Sequence, residues 1–199
     1  MAASDLTHYQ RNLPHRLPPG EVIFITFRLA DSLPQPVLER LRAEYEVAAT
    51  LDAEDKYLRQ RRYFGRFDAQ LDNASTGALW LRQPEIAQLV QQALHFHNER
   101  NSYQLVCYCI MANHVHLVVS LPDQYPLLAQ TLKSIKSYTA RMANQLLGRE
   151  GQFWQRESYD HIVRDAAELE RVIAYVVNNP VKAGLIENWQ DWPYTYWAT

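Results

Sequence analysis

The chain has 199 residues, 47% of them hydrophobic and 21% charged, with a formal net charge of -2. This composition predicts one folded domain over residues 1–199 and excludes a disordered, collagen-like or coiled-coil chain. The near balance of charge argues against a surface that is positive throughout, as in proteins that coat duplex DNA. No segment has the apolar length of a signal peptide or a membrane span, so a cytoplasmic protein without a membrane partner is expected.

The first half of the chain predicts one strand followed by a long helical insertion. Residues 1–20 read as an N-terminal arm, because prolines interrupt them, and β-branched and aromatic residues then predict a strand at Val22–Phe27. Helical spacing of apolar residues runs from Gln35 to about Tyr63. A basic stretch follows, and the turn-forming residues of 72–77 predict a loop. The helical insertion as a whole spans about residues 35–82.

The second half alternates strands and helices in the order typical of a ferredoxin-like (RRM-like) α+β sandwich, an antiparallel sheet with helices on one face. The other face is expected to be open for chemistry. A C-terminal tail covers residues 183–199. The predicted elements are a helix opened by Pro84, a hairpin of strands at 104–111 and 114–120, a helix at about 126–147, an extended segment at 153–163 and a last helix from Ala166 to Asn179, capped by Asp165.

The sharpest candidate for chemistry is the pair His114 and His116 on the second hairpin strand. Residues at i and i+2 of a strand project to the same face, so both imidazoles point one way while Val115, Leu117 and Val119 point to the other. Two imidazoles side by side suit a divalent metal ion. A lone His-x-His is also a common surface feature, and that alternative stays open on the spacing alone.

The last helix offers a second candidate, Tyr175. Its apolar stripe comprises Leu169, Val172, Ile173, Val176 and Val177, and Tyr175 falls off that stripe in a row with Arg171 and Asn179. An ordinary boundary tyrosine would fit the same pattern. The rival is Tyr138, which lies at the margin of the stripe of its own helix, so a packing role is predicted for it.

Several motifs together resemble one family along nearly the whole chain. The chain is similar to the single-tyrosine HUH transposases, and most closely to the REP-associated tyrosine transposases of bacteria. The motifs are the histidine strand Met111-Ala-Asn-His-Val-His-Leu-Val-Val119, the block Phe153-Trp-Gln-Arg156 with Tyr159-Asp-His-Ile-Val-Arg164, and the helix exit Tyr175-Val-Val-Asn-Asn-Pro-Val-Lys-Ala-Gly184, besides Leu13-Pro-His15 and the segment from Phe24 to Pro34.

The resemblance implies a metal-dependent endonuclease and strand transferase that acts on single-stranded DNA hairpins formed by palindromic repeats. His114 and His116 would hold Mg²⁺ or Mn²⁺, and Asn179 would complete the metal site. Tyr175 would attack the DNA and form a 5′-phosphotyrosine intermediate. A phenol with a pKa of ~10 needs such a metal-polarised phosphate to react at neutral pH. Relatives of this kind also imply a monomer.

Binding of the DNA backbone is assigned to basic residues, although a solvated helix face explains such clusters equally often. Aromatic residues near them could stack on unpaired bases, while Phe153 and Trp154 are expected in the core. The small number of cations predicts a moderate salt dependence of binding. The candidates for phosphate contacts are Arg62, Lys133, Lys136, Arg141, Arg156, Arg164 and Arg171.

Two other kinds of protein fit parts of the pattern. Cys107 and Cys109 precede the histidines, so Cys-x-Cys and His-x-His on one hairpin face would form a structural zinc site. A second alternative is a ferredoxin-like module that binds single-stranded nucleic acid without catalysis. Histidines in place of aromatic residues on the sheet, together with the off-stripe Tyr175, favour an enzyme.

Overall fold

The computed structural model describes residues 20–51, 56–73, 76–122 and 127–198, so the N-terminal arm lies outside the described residues. Five antiparallel strands form one sheet in the order β4-β1-β3-β2-β5. The strands are β1 (Val22–Leu29), β2 (Gln104–Ile110), β3 (His114–Ser120), β4 (Trp154–Val163) and β5 (Thr195–Trp197); the helices are α1 (Gln35–Leu51), α2 (Lys56–Asn73), α3 (Pro84–Glu99), α4 (Leu128–Leu146), α5 (Ala166–Val177) and α6 (Asn179–Lys182).

The predicted α+β class is confirmed, with four strands in ferredoxin-like order and a helical insertion after the first strand. The side chain of Asp165 accepts a hydrogen bond from Glu168 N and caps α5, and Gly148 ends α4 with a φ of 60°. Two bounds differ from the prediction. Asp72 and Asn73, which were predicted to lie in a loop, belong to helix α2, and Asn179 begins the separate helix α6.

The sheet buries different side chains on its two faces. Alternate residues of β1 and β3, among them Ile25 and Leu117, pack with α3 and α4 in the larger core. The intervening residues, among them Phe24 and Val118, face the other way and pack with Val176 of α5. Because His114 and His116 belong to this second face, we call it the histidine face.

The histidine face is covered, whereas an open face was expected. Phe64 of α2 packs in the same cluster as Phe24 and Val176, and its ring stacks on Tyr159 with centroids 3.9 Å apart. The chain returns from α2 through Gly77, whose φ is 89° and whose Cβ, if present, would lie 2.4 Å from Asp31 O. Only glycine fits this approach, so the exit of the insertion is held against the end of β1.

The C-terminal residues add a strand that the sequence did not predict. Strand β5 pairs with the outer edge of β2, and the backbone of Ala198 continues the contact by donating to Val106 O at 2.9 Å. No helix among the described residues has the length and hydrophobicity to cross a bilayer.

Candidate functional site

The two histidines lie on β3, which runs between β1 and β2 in the middle of the sheet. Both side chains are completely buried, and their Nε2 atoms are 3.0 Å apart. Thr26 is the β1 residue paired with His116, and its hydroxyl oxygen lies 2.8 Å from the Nδ1 atom of that ring. The prediction that both imidazoles project to one face is therefore confirmed.

Hydrogen bonds at the far side of each ring orient the two imidazoles. Asn113 donates through Nδ2 to Leu71 O, so its Oδ1 is free to accept from His114 Nδ1 at 2.7 Å. With the proton on Nδ1, the lone pair of His114 is on Nε2. Asn179 Nδ2, which can only donate, lies 3.3 Å from His116 Nε2, so the lone pair of His116 is also on Nε2 and its Nδ1 donates to the Thr26 hydroxyl. Both Nε2 lone pairs thus point into one small space, as in histidines that share a metal ion.

Burial keeps these histidines neutral. It lowers the pKa of His114 to about 3, with a smaller contribution from the positive charge of Lys182. The pKa of His116 lies well below its ordinary value because of burial, with further contributions from His114 and Lys182. Neutral imidazole is the form that binds a metal ion.

A carboxylate that sequence reasoning missed completes the cluster. Asp68 of α2 is fully buried, and its Oδ1 lies 3.4 Å from His116 Nε2 and 4.0 Å from His114 Nε2. One ligand atom from each of Asp68, His114 and His116 lies within 4.8 Å of the others. Burial raises the pKa of Asp68 well above its ordinary value; the charge of Asp72 adds to the effect and that of Lys182 opposes it.

Asn179, the predicted third ligand, lies at the same cluster. It is fully buried at the start of α6, with Nδ2 3.3 Å from His116 Nε2. Its Oδ1 is buried and has no hydrogen-bond partner among the described residues, and the same is true of Asp68 Oδ1. The Nε2 atoms of the two histidines and the unpartnered Oδ1 of Asp68 lie close together and fit a divalent cation, and the unpartnered Oδ1 atoms of Asp72 and Asn179 belong to residues that border them.

The zinc alternative is not supported. The metal-binding group among the described residues contains neither cysteine. Cys109 Sγ lies 3.6 Å from Met111 Sδ and 3.4 Å from the hydroxyl of Thr195, and burial raises the pKa of both Cys107 and Cys109 to about 12. A cysteine binds zinc as the thiolate, which burial disfavours at these two positions.

Tyr175 reaches the cluster from α5. Its ring centroid is 5.5 Å from that of His116, and its hydroxyl donates a hydrogen bond to Asp68 Oδ2. The Lys182 ammonium lies 5.3 Å from the centroid of the Tyr175 ring. The rival Tyr138 is on α4, against the opposite face of the sheet, and is 45% exposed, so the packing role predicted for it is wrong.

A second carboxylate of α2 borders the site. Asp72 Oδ1 lies 3.8 Å from His114 Nε2, while Asp72 Oδ2 accepts a hydrogen bond from Lys182 Nζ at 2.7 Å. Burial raises the pKa of Asp72, and its contacts with Lys182 and Asn179 act in the opposite direction. Lys182 thus lies closest to Asp72 and also pairs with Asp68 Oδ2, at 3.9 Å.

The predicted DNA-binding residues are distributed over both sides of the sheet. Lys133, Lys136 and Arg141 are on α4, opposite the histidines, and Lys136 Nζ donates to Arg156 O and Ser158 Oγ. The other four lie outside α4. Those with exposed side chains are Arg62 on α2, Lys133 and Arg141 on α4, Arg156 on β4, Arg164 before α5 and Arg171 on α5.

The sequence held one signal for the missed carboxylates. Phe64, Asp68 and Asp72 follow one another at spacings of four, so they share one face of a helix, with Leu71 beside them. Two carboxylates on the apolar face of a helix are unusual, because buried Asp is rare without a partner. Treating Asp72 as a loop residue hid this pattern.

Comparison with known proteins gives consistent matches. The sequence model of a family described as "Transposase IS200 like" matches residues 79–179, just over half of the chain. A Haemophilus influenzae protein described as a REP-associated tyrosine transposase is 31% identical over 106 residues, 49% of this chain and 60% of its own length. The Escherichia coli K12 REP-associated tyrosine transposase is 20% identical over 111 residues, 54% of this chain and 62% of its own length.

A solved structure agrees in fold. The structure of a REP-associated tyrosine transposase bound to a REP hairpin superposes with a TM-score of 0.54 at 14% sequence identity, covering 94% of this chain and 82% of that chain. The alignments with the two curated relatives span about three fifths of the length of each.

Proposed function

Because the chain belongs to the IS200-like transposase family, we propose that it is a metal-dependent endonuclease and strand transferase acting on single-stranded DNA. We propose as its substrate hairpins formed by palindromic repeats, since a solved structure of the same fold is a complex with a REP hairpin. We expect the protein to act as a monomer.

One observation carries this proposal: the hydroxyl of Tyr175 is directed into the same buried cluster as the two histidine Nε2 atoms. The hydroxyl and His116 are joined through Asp68, whose two carboxylate oxygens face Tyr175 and His116 respectively. A nucleophile and a metal site must adjoin for attack on a phosphate, and a tyrosine serving only the core would not bring its hydroxyl here.

Each residue of the cluster has a separate role in the proposed reaction. His114, His116 and Asn179 would hold Mg²⁺ or Mn²⁺, which supplies charge stabilisation to the phosphate oxygens. Tyr175 Oη then attacks phosphorus, so that the Oη–P bond forms and the P–O3′ bond breaks. The phenol loses its proton, for which Asp68 Oδ2 is the neighbouring acceptor, and the departing 3′ oxygen takes up a proton to become a 3′ hydroxyl.

The resulting 5′-phosphotyrosine ester keeps the energy of the original phosphodiester bond. A 3′ hydroxyl can therefore attack it and restore a DNA strand, with Tyr175 as the leaving group and without ATP. The basic residues around the site, among them Arg164 and Arg171, would contact the DNA backbone.

The test uses labelled single-stranded DNA that contains a palindrome from beside the gene, incubated with the protein and Mn²⁺. We expect a covalent protein–DNA adduct that Tyr175→Phe abolishes and Tyr138→Phe, the matched control on the opposite face, retains. His114→Ala and His116→Ala should each lower the adduct rate by about a hundredfold or more. An adduct in Tyr175→Phe would show that the nucleophile is another residue.

A further inference from the structure

We propose that Asp68, carried by the inserted helix α2, is itself a ligand of the divalent ion. The proposal rests on the proposed function in one respect, namely that His114 and His116 hold such an ion. It gives the inserted helix a direct role in metal binding. Neither the histidine motif nor the helix that carries Tyr175 implies such a role.

The first argument is the convergence of atoms that carry lone pairs. His114 Nδ1 donates to Asn113 Oδ1, so the lone pair of His114 is on Nε2. Asn179 Nδ2, which can only donate, lies 3.3 Å from His116 Nε2, so that nitrogen carries a lone pair as well. Asp68 Oδ1 lies 3.4 Å from one of these nitrogens and 4.0 Å from the other. Electron-pair donors this close to one another repel, and a cation between them converts the repulsion into attraction.

The second argument is the missing hydrogen-bond partner of Asp68 Oδ1. The atom is buried and has no hydrogen-bond partner among the described residues. A buried carboxylate oxygen without a partner is costly and therefore rare. Lys182 pairs with the other oxygen of Asp68, at 3.9 Å, and lies closer to Asp72, at 2.7 Å, so it leaves Asp68 Oδ1 without a partner.

The donor set defines what kind of ion fits. Two imidazole nitrogens and one carboxylate oxygen bind Mn²⁺ more tightly than Mg²⁺, because imidazole is a poor ligand for Mg²⁺. An ion with three or four protein ligands also keeps coordination positions for phosphate oxygens. We therefore expect a higher affinity for Mn²⁺ than for Mg²⁺ in the whole chain, measured without DNA.

The test compares the Mn²⁺ affinity of the full chain and of Asp68→Asn by isothermal titration calorimetry. Asn has nearly the shape of Asp and keeps an acceptor for the Tyr175 hydroxyl, so the change removes mainly the charge. We expect binding to weaken about tenfold or more. The control is Asp160→Asn, a buried carboxylate whose β1 partner Ile25 faces the other core, which should stay within about twofold.

A second measurement needs no variant, so it stands even if Asp68→Asn fails to fold. Amide hydrogen exchange of the wild-type chain is followed with EDTA and with saturating Mn²⁺. If Asp68 is a ligand, Mn²⁺ slows exchange in α2 as well as in β3. Slower exchange confined to β3 would overturn the proposal.

Two results separate this proposal from the proposed function. Unchanged Mn²⁺ affinity in Asp68→Asn, with a Tyr175-dependent adduct in the wild type, would refute the ligand assignment alone. Weakened affinity in Asp68→Asn without any adduct in the wild type would support the ligand assignment and refute the transferase. Faster adduct formation in Asp68→Asn at unchanged Mn²⁺ affinity would mean that Asp68 restrains Tyr175 and does not bind the metal ion, which also overturns the proposal.

Discussion

Asn113 determines how His114 presents its ring. Its Oδ1 accepts a hydrogen bond from His114 Nδ1, and its Nδ2 donates one to Leu71 O on α2. One amide therefore fixes a tautomer and ties the inserted helix to the turn that precedes β3. Groups that orient a metal ligand in this way usually matter nearly as much as the ligand.

Replacing Asn113 with Ala should therefore weaken Mn²⁺ binding by roughly 10- to 100-fold, although Asn113 is not itself a ligand. Without Oδ1, the His114 ring loses its fixed tautomer. Calorimetric titration with Mn²⁺ measures the effect. The control is Asn144→Ala on α4, whose amide contacts Gly151 and Arg149 on the opposite side of the sheet. Equal affinities in the two variants would contradict this role.

The buried histidines also predict acid sensitivity of the metal-free protein. His114 has a pKa of about 3 when folded and an ordinary value of 6.5. As the pH falls below about 6.5, the unfolded chain binds a proton that the folded chain does not. The free energy of unfolding then decreases by up to ~1.4 kcal/mol per pH unit for this residue until about pH 3.

Denaturant unfolding in EDTA at pH 7 and pH 4.5 tests this pH dependence. The wild type should lose more stability than His114→Gln over that interval, because glutamine does not titrate. Identical losses would mean that His114 titrates with an ordinary pKa in the folded protein. The comparison cancels the contributions of the carboxylates, which both proteins share.

Among the elements, α2 matters most for the site, because it supplies a carboxylate and covers the histidine face. It is held there by aromatic contacts as well as by charges. The Phe64 ring packs on Tyr159 and Phe24, with centroids 3.9 Å and 5.6 Å away, and Phe67 lies under the guanidinium of Arg28. Docking of α2 is therefore an apolar packing event that carries Asp68 into place.

Phe64→Ala should consequently lower both stability and metal affinity, although Phe64 is not itself a metal ligand. Removal of a large buried ring costs about 3 kcal/mol in the free energy of unfolding. The matched control is Phe96→Ala on α3, where the ring is 49% exposed and the expected cost is about 0.5 kcal/mol or less. Urea unfolding and Mn²⁺ titration measure the two effects. An unchanged Mn²⁺ affinity in Phe64→Ala would mean that the site does not depend on the docking of α2.

The elements also show where sequence reasoning succeeds and where it stops. His114 and His116 could be placed on one face of the sheet because the alternation of side chains along a strand depends only on neighbouring residues. Tyr175 could be placed off the apolar stripe because the angular position of a residue on a helix also depends only on its neighbours. Asp68 could not be placed, since its role depends on how a distant helix packs over the sheet. The open face expected from the ferredoxin-like pattern is covered for the same reason.

At the scale of the whole molecule, exposed cations lie on both sides of the sheet. Arg171 is exposed on α5, one turn before Tyr175, whereas Arg141 is exposed on α4, across the sheet. A short single strand whose phosphate lies at Tyr175 can contact the first residue but not the second.

Arg171→Ala should therefore reduce the dependence of log affinity on log salt concentration by ~0.7, the contribution of one phosphate contact to a single strand. Arg141→Ala should leave that slope unchanged for a strand just long enough to span Tyr175. Fluorescence anisotropy over a salt series measures both slopes. A similar reduction in both variants would place the DNA on both sides of the sheet.

The short C-terminal strand β5 provides a built-in chemical reporter. The only two cysteines of the chain, Cys107 and Cys109, pair with Trp197 and Thr195 of β5, and both are completely inaccessible to solvent. A thiol in this state reacts with an alkylating reagent only after the surrounding structure opens. The labelling rate therefore reports how often this edge of the sheet opens, and its change on adding DNA would show whether substrate binding loosens or tightens the C-terminal strand.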